Sequence, residues 1–257
     1  MIIRETPTSF IYITQPDHAH VSGQMATHWQ PALFPDAARR VEVELAVREH
    51  DRAWATLDTV PIWNEPARVP HSFLDYPAAP KIRNYQQGVD EMEALAPYAG
   101  LLGSLHFTSF PDLGKTGEGR QFLQHEANRQ ARLRRELRLD APAPAAALDF
   151  HLQLLRFLDR LSLYLCLNEP GAPKDREHPW YQKGIPLSDY FPFAGGQMVQ
   201  AVWHGPQAVQ VAPSPFDTDF FVRLRYRELP KASLSARTLA DCFRHAPTQE
   251  LVVQIRR

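Results

Sequence analysis

The run LDFHLQLLRFLDRLSLYLCL, residues 148–167, is the feature around which the rest of the chain has to be arranged. Leucine and aromatic side chains recur at so many positions that a helix here has almost no polar face, so it is buried on nearly all sides. Within it stands a carboxylate, Asp159. An unpaired carboxylate at such a position costs several kcal/mol or takes up a proton. Two solutions are open. A plain salt bridge to Arg156 or Arg160, which flank it, is one; a cation shared with other buried ligands is the other.

The remaining segments supply what packs around this helix. Two short strands, MIIRE and SFIYITQ, joined at Thr6-Pro7-Thr8, occupy the first 14 residues. From Asp17, taken as the N-cap, DHAHVSGQMATHW changes to a helical period with Val21, Met25 and His28 on one face, and Pro31 and Pro35 close it. AARRVEVELAVREHDRAW is again helical, with Val41, Leu45 and Ala46 about a turn apart. Residues 58–83 are too rich in proline for regular structure and read as a long loop of the kind that often carries function. Helical periodicity returns in NYQQGVDEMEALAPYAGLLGSLHF, broken at Pro97, and in GRQFLQHEANRQARLRREL; DAPAPAAA is a spacer before the apolar helix. Residues 168–196 are loop-like. Strands follow at QMVQAVWH, QAVQVAPSPF, DFFVRLRYREL and ELVVQIRR, with a short helix near SARTLADCF.

The expected architecture is α+β and a single domain over residues 1–257. It is a mainly α-helical bundle (15–168) with a small antiparallel sheet from 195–257, which the hairpin of residues 1–14 is placed to join. A length of 257 residues allows a proper core, and the net charge of -1 gives no long-range pull on nucleic acid or anionic lipid. No apolar run is long enough for a membrane helix, and the N-terminus lacks the basic start and apolar block of a signal peptide. Cys166 and Cys242 are far apart and fit neither a disulfide framework nor a zinc knuckle, so a reducing cytoplasm is expected. A small-molecule substrate, with no nucleic acid and no membrane, is the partner these features leave; the oligomeric state stays open.

The chemistry concentrates in a few polar residues on apolar faces. His50 and Asp51 stand side by side at the end of the second helix, but chance alone produces about 0.6 His-Asp pairs in a chain of this composition, so the pair carries weight only in company. His18 lies in the first turn of the first helix, with His20 as its rival. His106 ends an apolar segment, GLLGSLHFTSF, where capping its helix is the plainer role. Three imidazoles and two carboxylates, His18, His50, Asp51, His106 and Asp159, suit one or two divalent ions of manganese, iron, nickel or zinc. Against this, His50-Asp51 can be a solvated helix end. His28 reads as a core or interface histidine, His71 is left unassigned, and Glu126 is expected on a solvated face. GKTGEG at 114–119 lacks the strand and spacing of a phosphate loop. Trp54, Trp63, Phe73 and Tyr76 read as satellite core rather than an aromatic wall.

The order His, His-Asp, His, Asp resembles the HD-domain superfamily of helical metal-dependent phosphohydrolases. More closely, ITQPDHAHVSGQMATHW, HDRAW, SLHFTSF, FLDRLSLYLC and the later VQVAPSPF are similar to a bacterial family of unknown function, over most of the chain. The resemblance implies that His18, His50, Asp51 and Asp159 are metal ligands and that His106 marks a second metal, with Asp51 and His106 carrying catalysis. A bound water then drops from a pKa near 15.7 towards roughly 7. Arg52, Ala53 and Trp54 follow the pair where HD phosphohydrolases have a small residue, glycine and then lysine, which removes the usual phosphate contact; Arg52 is the candidate replacement. The expected function is a metal-dependent hydrolase of an unknown small substrate, phosphoesters included. An iron-dependent oxygenase in the same pocket and a non-catalytic ligand-binding or regulatory protein stand beside it.

Overall fold

The computed structural model describes residues 1–257. The chain opens on a hairpin, β1 (Ile2–Glu5) and β2 (Ser9–Ile13), and turns directly into helix α1 (Gln15–Ala26). The turn is built by Thr14, not Asp17: the Thr14 hydroxyl oxygen accepts from the Asp17 backbone N–H at 3.1 Å and its hydrogen goes to Asp17 Oδ2 at 2.6 Å. Thr14 is therefore the N-cap and Asp17 the third helical residue, a reciprocal cap that satisfies a donor the first turn would leave orphaned.

After two short turns come α2 (Arg40–Glu49) and, within the proline-rich stretch, a two-stranded ribbon of β3 (Trp63–Asn64) and β4 (Val69–Pro70). That stretch is thus less irregular than its composition suggests, and its last residues already belong to α3 (Ala78–Leu95). Helix α4 (Pro97–Thr108) follows at the proline break. Next is α5 (Gly117–Glu136), for which the glycine-rich GKTGEG is only the start: the Thr116 hydroxyl caps the Gly119 N–H at 3.0 Å. The apolar helix is α6 (Pro142–Leu167), and the supposed spacer before it forms its first turns, with Pro142 at a position that needs no N–H. The C-terminal third supplies β5 (Gln200–Trp203), β6 (Ala208–Ala212), β7 (Phe220–Pro230), α7 (Leu239–His245) and β8 (Gln249–Arg256).

The expectation of a mainly helical bundle with a small antiparallel sheet is overturned. Seven helices pack with one six-stranded sheet in the order β1-β2-β7-β8-β6-β5, and the β6–β8 pair is parallel. The sheet is large because the hairpin at one end of the chain is annexed to the strands at the other, Ser9 lying opposite Pro230. Strand β7 makes this possible: its 11 residues pair with β2 along one edge and β8 along the other. It buries Phe220, Val222 and Leu224 while exposing Phe221, Arg223 and Arg225, so one face of the sheet is apolar and the other wet.

Helix α1 lies on that sheet, against β7, and on its other sides packs with α2 and α6. Gln24 ties it there, its side-chain oxygen accepting from the Arg223 N–H at 3.0 Å. Helix α6 contacts α1, α2, α4 and β1, the buried position that its composition demands. One core runs unbroken from Ile2 through Leu158 to Ile255. The expected apolar face of α2 holds in part: Ala46 is buried and Leu45 packs against the core, but Val41 is 77% exposed and Val43 and Val47 complete the inward face. No helix is long and apolar enough to cross a membrane.

Candidate metal centre

Four elements deliver the five polar residues to one place. His18 sits one turn into α1 on the face that meets α6, and it is fully buried, whereas its rival His20 is exposed. His50 caps the C-terminus of α2 and Asp51 is the next residue; at 0% and 5% exposure they are not a solvated helix end. His106 lies near the end of α4 and Asp159 in the middle of α6. The ligating atoms of His18, His50 and Asp51 lie within 4.8 Å of one another, and so do those of His50, His106 and Asp159.

The histidine tautomers follow from the hydrogen bonds behind the rings. His50 Nδ1 lies 2.8 Å from the Val47 carbonyl oxygen, an acceptor only, so Nδ1 carries a hydrogen. His18 Nδ1 lies 2.7 Å from Ser162 Oγ. The Ser162 hydroxyl donates to the Asp159 carbonyl at 2.9 Å, and the Ser22 hydroxyl donates to Ser162 at 2.8 Å, so the Ser162 oxygen receives from His18. In both rings Nδ1–H is thereby spent on a structural acceptor and the Nε2 lone pair is aimed inward. Outer hydrogen bonds of this kind set the tautomer of metal-binding histidines.

What the lone pairs meet is two carboxylates. His18 Nε2 is 2.9 Å from Asp51 Oδ2 and 3.9 Å from Asp159 Oδ1, and His50 Nε2 is 3.7 Å and 3.5 Å from the same two oxygens. His50 Nε2 is buried and has no hydrogen-bond partner; the same holds for His106 Nδ1. Lone pairs facing carboxylate oxygens repel unless protons or a cation stand between. Ligands about 2.1 Å from one ion are separated by roughly 3.0 Å in octahedral and 3.4 Å in tetrahedral coordination. The separations from 2.9 to 3.9 Å bracket those edges, and two carboxylates with neutral imidazoles are a fitting donor set for a divalent ion.

The titration behaviour carries the same message. Burial pushes the His50 imidazole down, but Asp51 and Asp159 together push it further up, to about 9. Burial also dominates at His106, lowering it to about 4, so that ring is neutral at pH 7. Burial would raise Asp159; the adjacent His50 imidazole, with His106 and His18 around it, outweighs this and holds its carboxyl well below the usual range. The site demands positive charge. Asp159 forms no salt bridge with Arg156 or Arg160, so the local ion pair considered from sequence is not how this carboxylate is satisfied.

Asp51, His106 and Asp159 line a cavity of about 610 Å³, while His18 and His50 do not reach its wall. Trp54 and Phe73 line it too, though Trp54 is also buried among Ala53, Tyr85 and Phe107, so wall and satellite core are the same residues. His28 is stacked on Phe220 at 3.9 Å and His71 Nδ1 donates to Asp75 Oδ2 at 2.8 Å, and neither ring belongs to the cluster. Arg52 is engaged by Glu49 and Glu91 at 3.0 and 2.6 Å. Glu126, expected on a solvated face, is fully buried beside Arg129. Sequence reasoning missed Ser22 and Ser162, whose signal was a hydroxyl on each apolar helix face, one turn beyond His18 and Asp159 respectively. It also missed Arg160, Lys81 and Tyr181 as cavity residues.

The chain belongs to the family described as "Protein of unknown function (DUF3891)", whose pattern matches residues 1–231. The match takes in α1 through α6 and most of the sheet, and so every residue of the buried cluster. No curated protein and no solved structure matches the chain.

Proposed function

We propose that this member of the family is a metal-dependent hydrolase of a small substrate, HD-like in its ligand pattern, with phosphoesters the first class to test. The observation that carries the reading is His50 Nε2: buried, without a partner, and facing carboxylate oxygens at 3.5 and 3.7 Å. A divalent cation removes that conflict and neutralises the two carboxylates at once.

His18, His50, Asp51 and Asp159 would hold the ion. His50 has only Nε2 to offer, because Nδ1 is committed to Val47. The two overlapping sets of ligands that share His50 are therefore read as one centre for one ion, with His106 beside it. When bound, the cation supplies Lewis acidity towards a substrate oxygen and lowers the pKa of water. The protein's own contribution is positional. Ser162 and Val47 orient the two inner imidazoles, Asp51 and Asp159 present oxygens to the cavity, and the wall around Trp54 and Phe73 limits water. His106, kept neutral by burial and without a partner at Nδ1, lines the cavity as a hydrogen-bonding group for a substrate or water.

The test is metal content and binding in protein first treated with EDTA, using manganese, zinc, nickel and iron(II) in turn. One equivalent bound by the wild type, lost in His50→Ala while circular dichroism stays native, is the expected result. No stoichiometric uptake of any of the four ions sinks the reading. Uptake of iron together with oxygen consumption, and no hydrolysis of bis(p-nitrophenyl) phosphate or related esters, would replace the hydrolase with an oxygenase.

A further inference from the structure

The cavity beside the buried cluster contains positive charges that the protein leaves unanswered. Arg160 lines it, is partly buried, and forms neither a salt bridge nor a hydrogen bond. Lys81 lines it too, also partly buried and unpaired. The one exposed carboxylate on the same wall, Asp112, is taken by Lys115 at 2.6 Å. Several other partly buried cations are paired, Arg40 with Glu44 at 2.7 Å and Lys174 with Glu177 at 2.8 Å, whereas Arg134 and Arg156 are not. A cation withdrawn from water without a counter-ion is a cost that a bound anion relieves. Next to Arg160, Tyr181 lines the cavity at 1% exposure with a hydroxyl that has no partner. Arg160 follows Asp159 directly on α6, and Arg160, Tyr181 and Asp159 all line this cavity.

Much of the remaining lining is apolar and part of it is uncovered. Leu74 and Trp180 are 56% and 45% exposed, on a wall continued by Phe73, Phe110 and Leu163. Large apolar surface left to water around a concavity marks a place that a ligand covers.

We infer that the cavity binds an amphiphilic oxyanion, its carboxylate or phosphate head held by Arg160 and the Tyr181 hydroxyl and its apolar, planar body lying over the wall that includes Trp180 and Leu74. The inference rests on the reading of this cavity as the substrate side of the metal centre, but it can be tested apart from it. Arg160 takes the place that Arg52, locked between two glutamates, cannot fill. Lys81 adds a second positive charge that favours an anion over a neutral molecule of the same shape.

The experiment is calorimetric titration of the full chain, with and without bound manganese, using phenylphosphonate, benzoate, inorganic phosphate and benzyl alcohol. At least one of the two aromatic anions binds about tenfold or more tightly than either inorganic phosphate or benzyl alcohol, and the better of them identifies the head group. Arg160→Gln weakens that probe by about tenfold or more, Arg160→Lys and Tyr181→Phe by less, with manganese uptake measured on the same samples. Benzyl alcohol binding as well as the anions removes the oxyanion site. Inorganic phosphate binding as well as phenylphosphonate removes the apolar body. Unchanged affinity in a natively folded Arg160→Gln removes the clamp. Probe binding that needs Arg160 in a protein that takes up no manganese keeps this inference and ends the metal reading; manganese uptake with no probe binding does the reverse.

Discussion

Raising the pH from 7 to 9 removes the proton that competes with a cation for His50. In the metal-free protein this imidazole sits at about 9: burial works against the charged form, and the nearby Asp51 and Asp159 carboxylates more than compensate. Because Nδ1–H is fixed on Val47, the titrating proton is the one on Nε2, the atom a cation would need. At pH 7 the ion must displace it, which weakens apparent binding by about tenfold for each pH unit below 9, or about 100-fold and 2.7 kcal/mol in all. Manganese titrations at pH 7, 8 and 9, each in two buffers of different ionisation heat, read both the affinity and the protons released. About one proton per ion at pH 7 and about half of one at pH 9 are expected. The same shift predicts stability. The raised His50 value stabilises the metal-free fold fully below the unfolded histidine pKa of about 6.5, and this contribution, of order 3 kcal/mol, is lost as the pH rises through 9. The lowered His106 value acts oppositely, stabilising above about 6.5 and failing as the pH falls towards 4. The melting temperature of the metal-free protein therefore peaks near pH 6.5, and saturating manganese removes the alkaline decline. Affinity that is flat from pH 7 to 9, with no proton release, would falsify the assignment of His50 Nε2 as a ligand.

Four further perturbations separate the centre from its scaffold. Ser162→Ala leaves His18 Nδ1 without its acceptor and should lower manganese affinity roughly 10- to 100-fold with the fold intact by circular dichroism. Arg129→Met strips the counter-charge from the buried Glu126 and should cost about 3–5 kcal/mol in urea unfolding, most of it recovered in the double variant with Glu126→Leu. Gly88→Ala places a methyl 2.6 Å from the Ala53 Cα, so α3 must move off the turn that follows Asp51; a loss of roughly 1–3 kcal/mol is expected in thermal melts. Arg52→Ala breaks only surface pairs and should change stability by less than about 1 kcal/mol and phenylphosphonate binding not at all.

Most helices and strands were legible because the chain states its local periods plainly. The break at Pro97 separates α3 from α4 as read, and the four C-terminal strands and α7 lie where the alternation placed them. Errors came where two local readings were nearly equal. Val41 and Val43 both continue an apolar pattern on α2, and only the packed partner decides which faces inward. Glu126 stands in so charged a helix that exposure was the natural expectation; it is buried because Arg129 folds over it from the next turn while reaching Asp90 and Glu93 on α3.

From the sequence alone it follows that α6 is buried, that Asp159 on it needs a positive partner, and that histidines and a second carboxylate stand on apolar faces of other segments. These are consequences of composition and period, which act within a few turns of chain. Tertiary structure decided the rest: that β2 joins β7 across the length of the protein to make a large sheet, that Asp159 turns to His18 and His50 instead of its neighbouring arginines, and that Arg160 is left free to face the cavity. Such outcomes depend on which distant surfaces close against each other, and no local pattern contains that information.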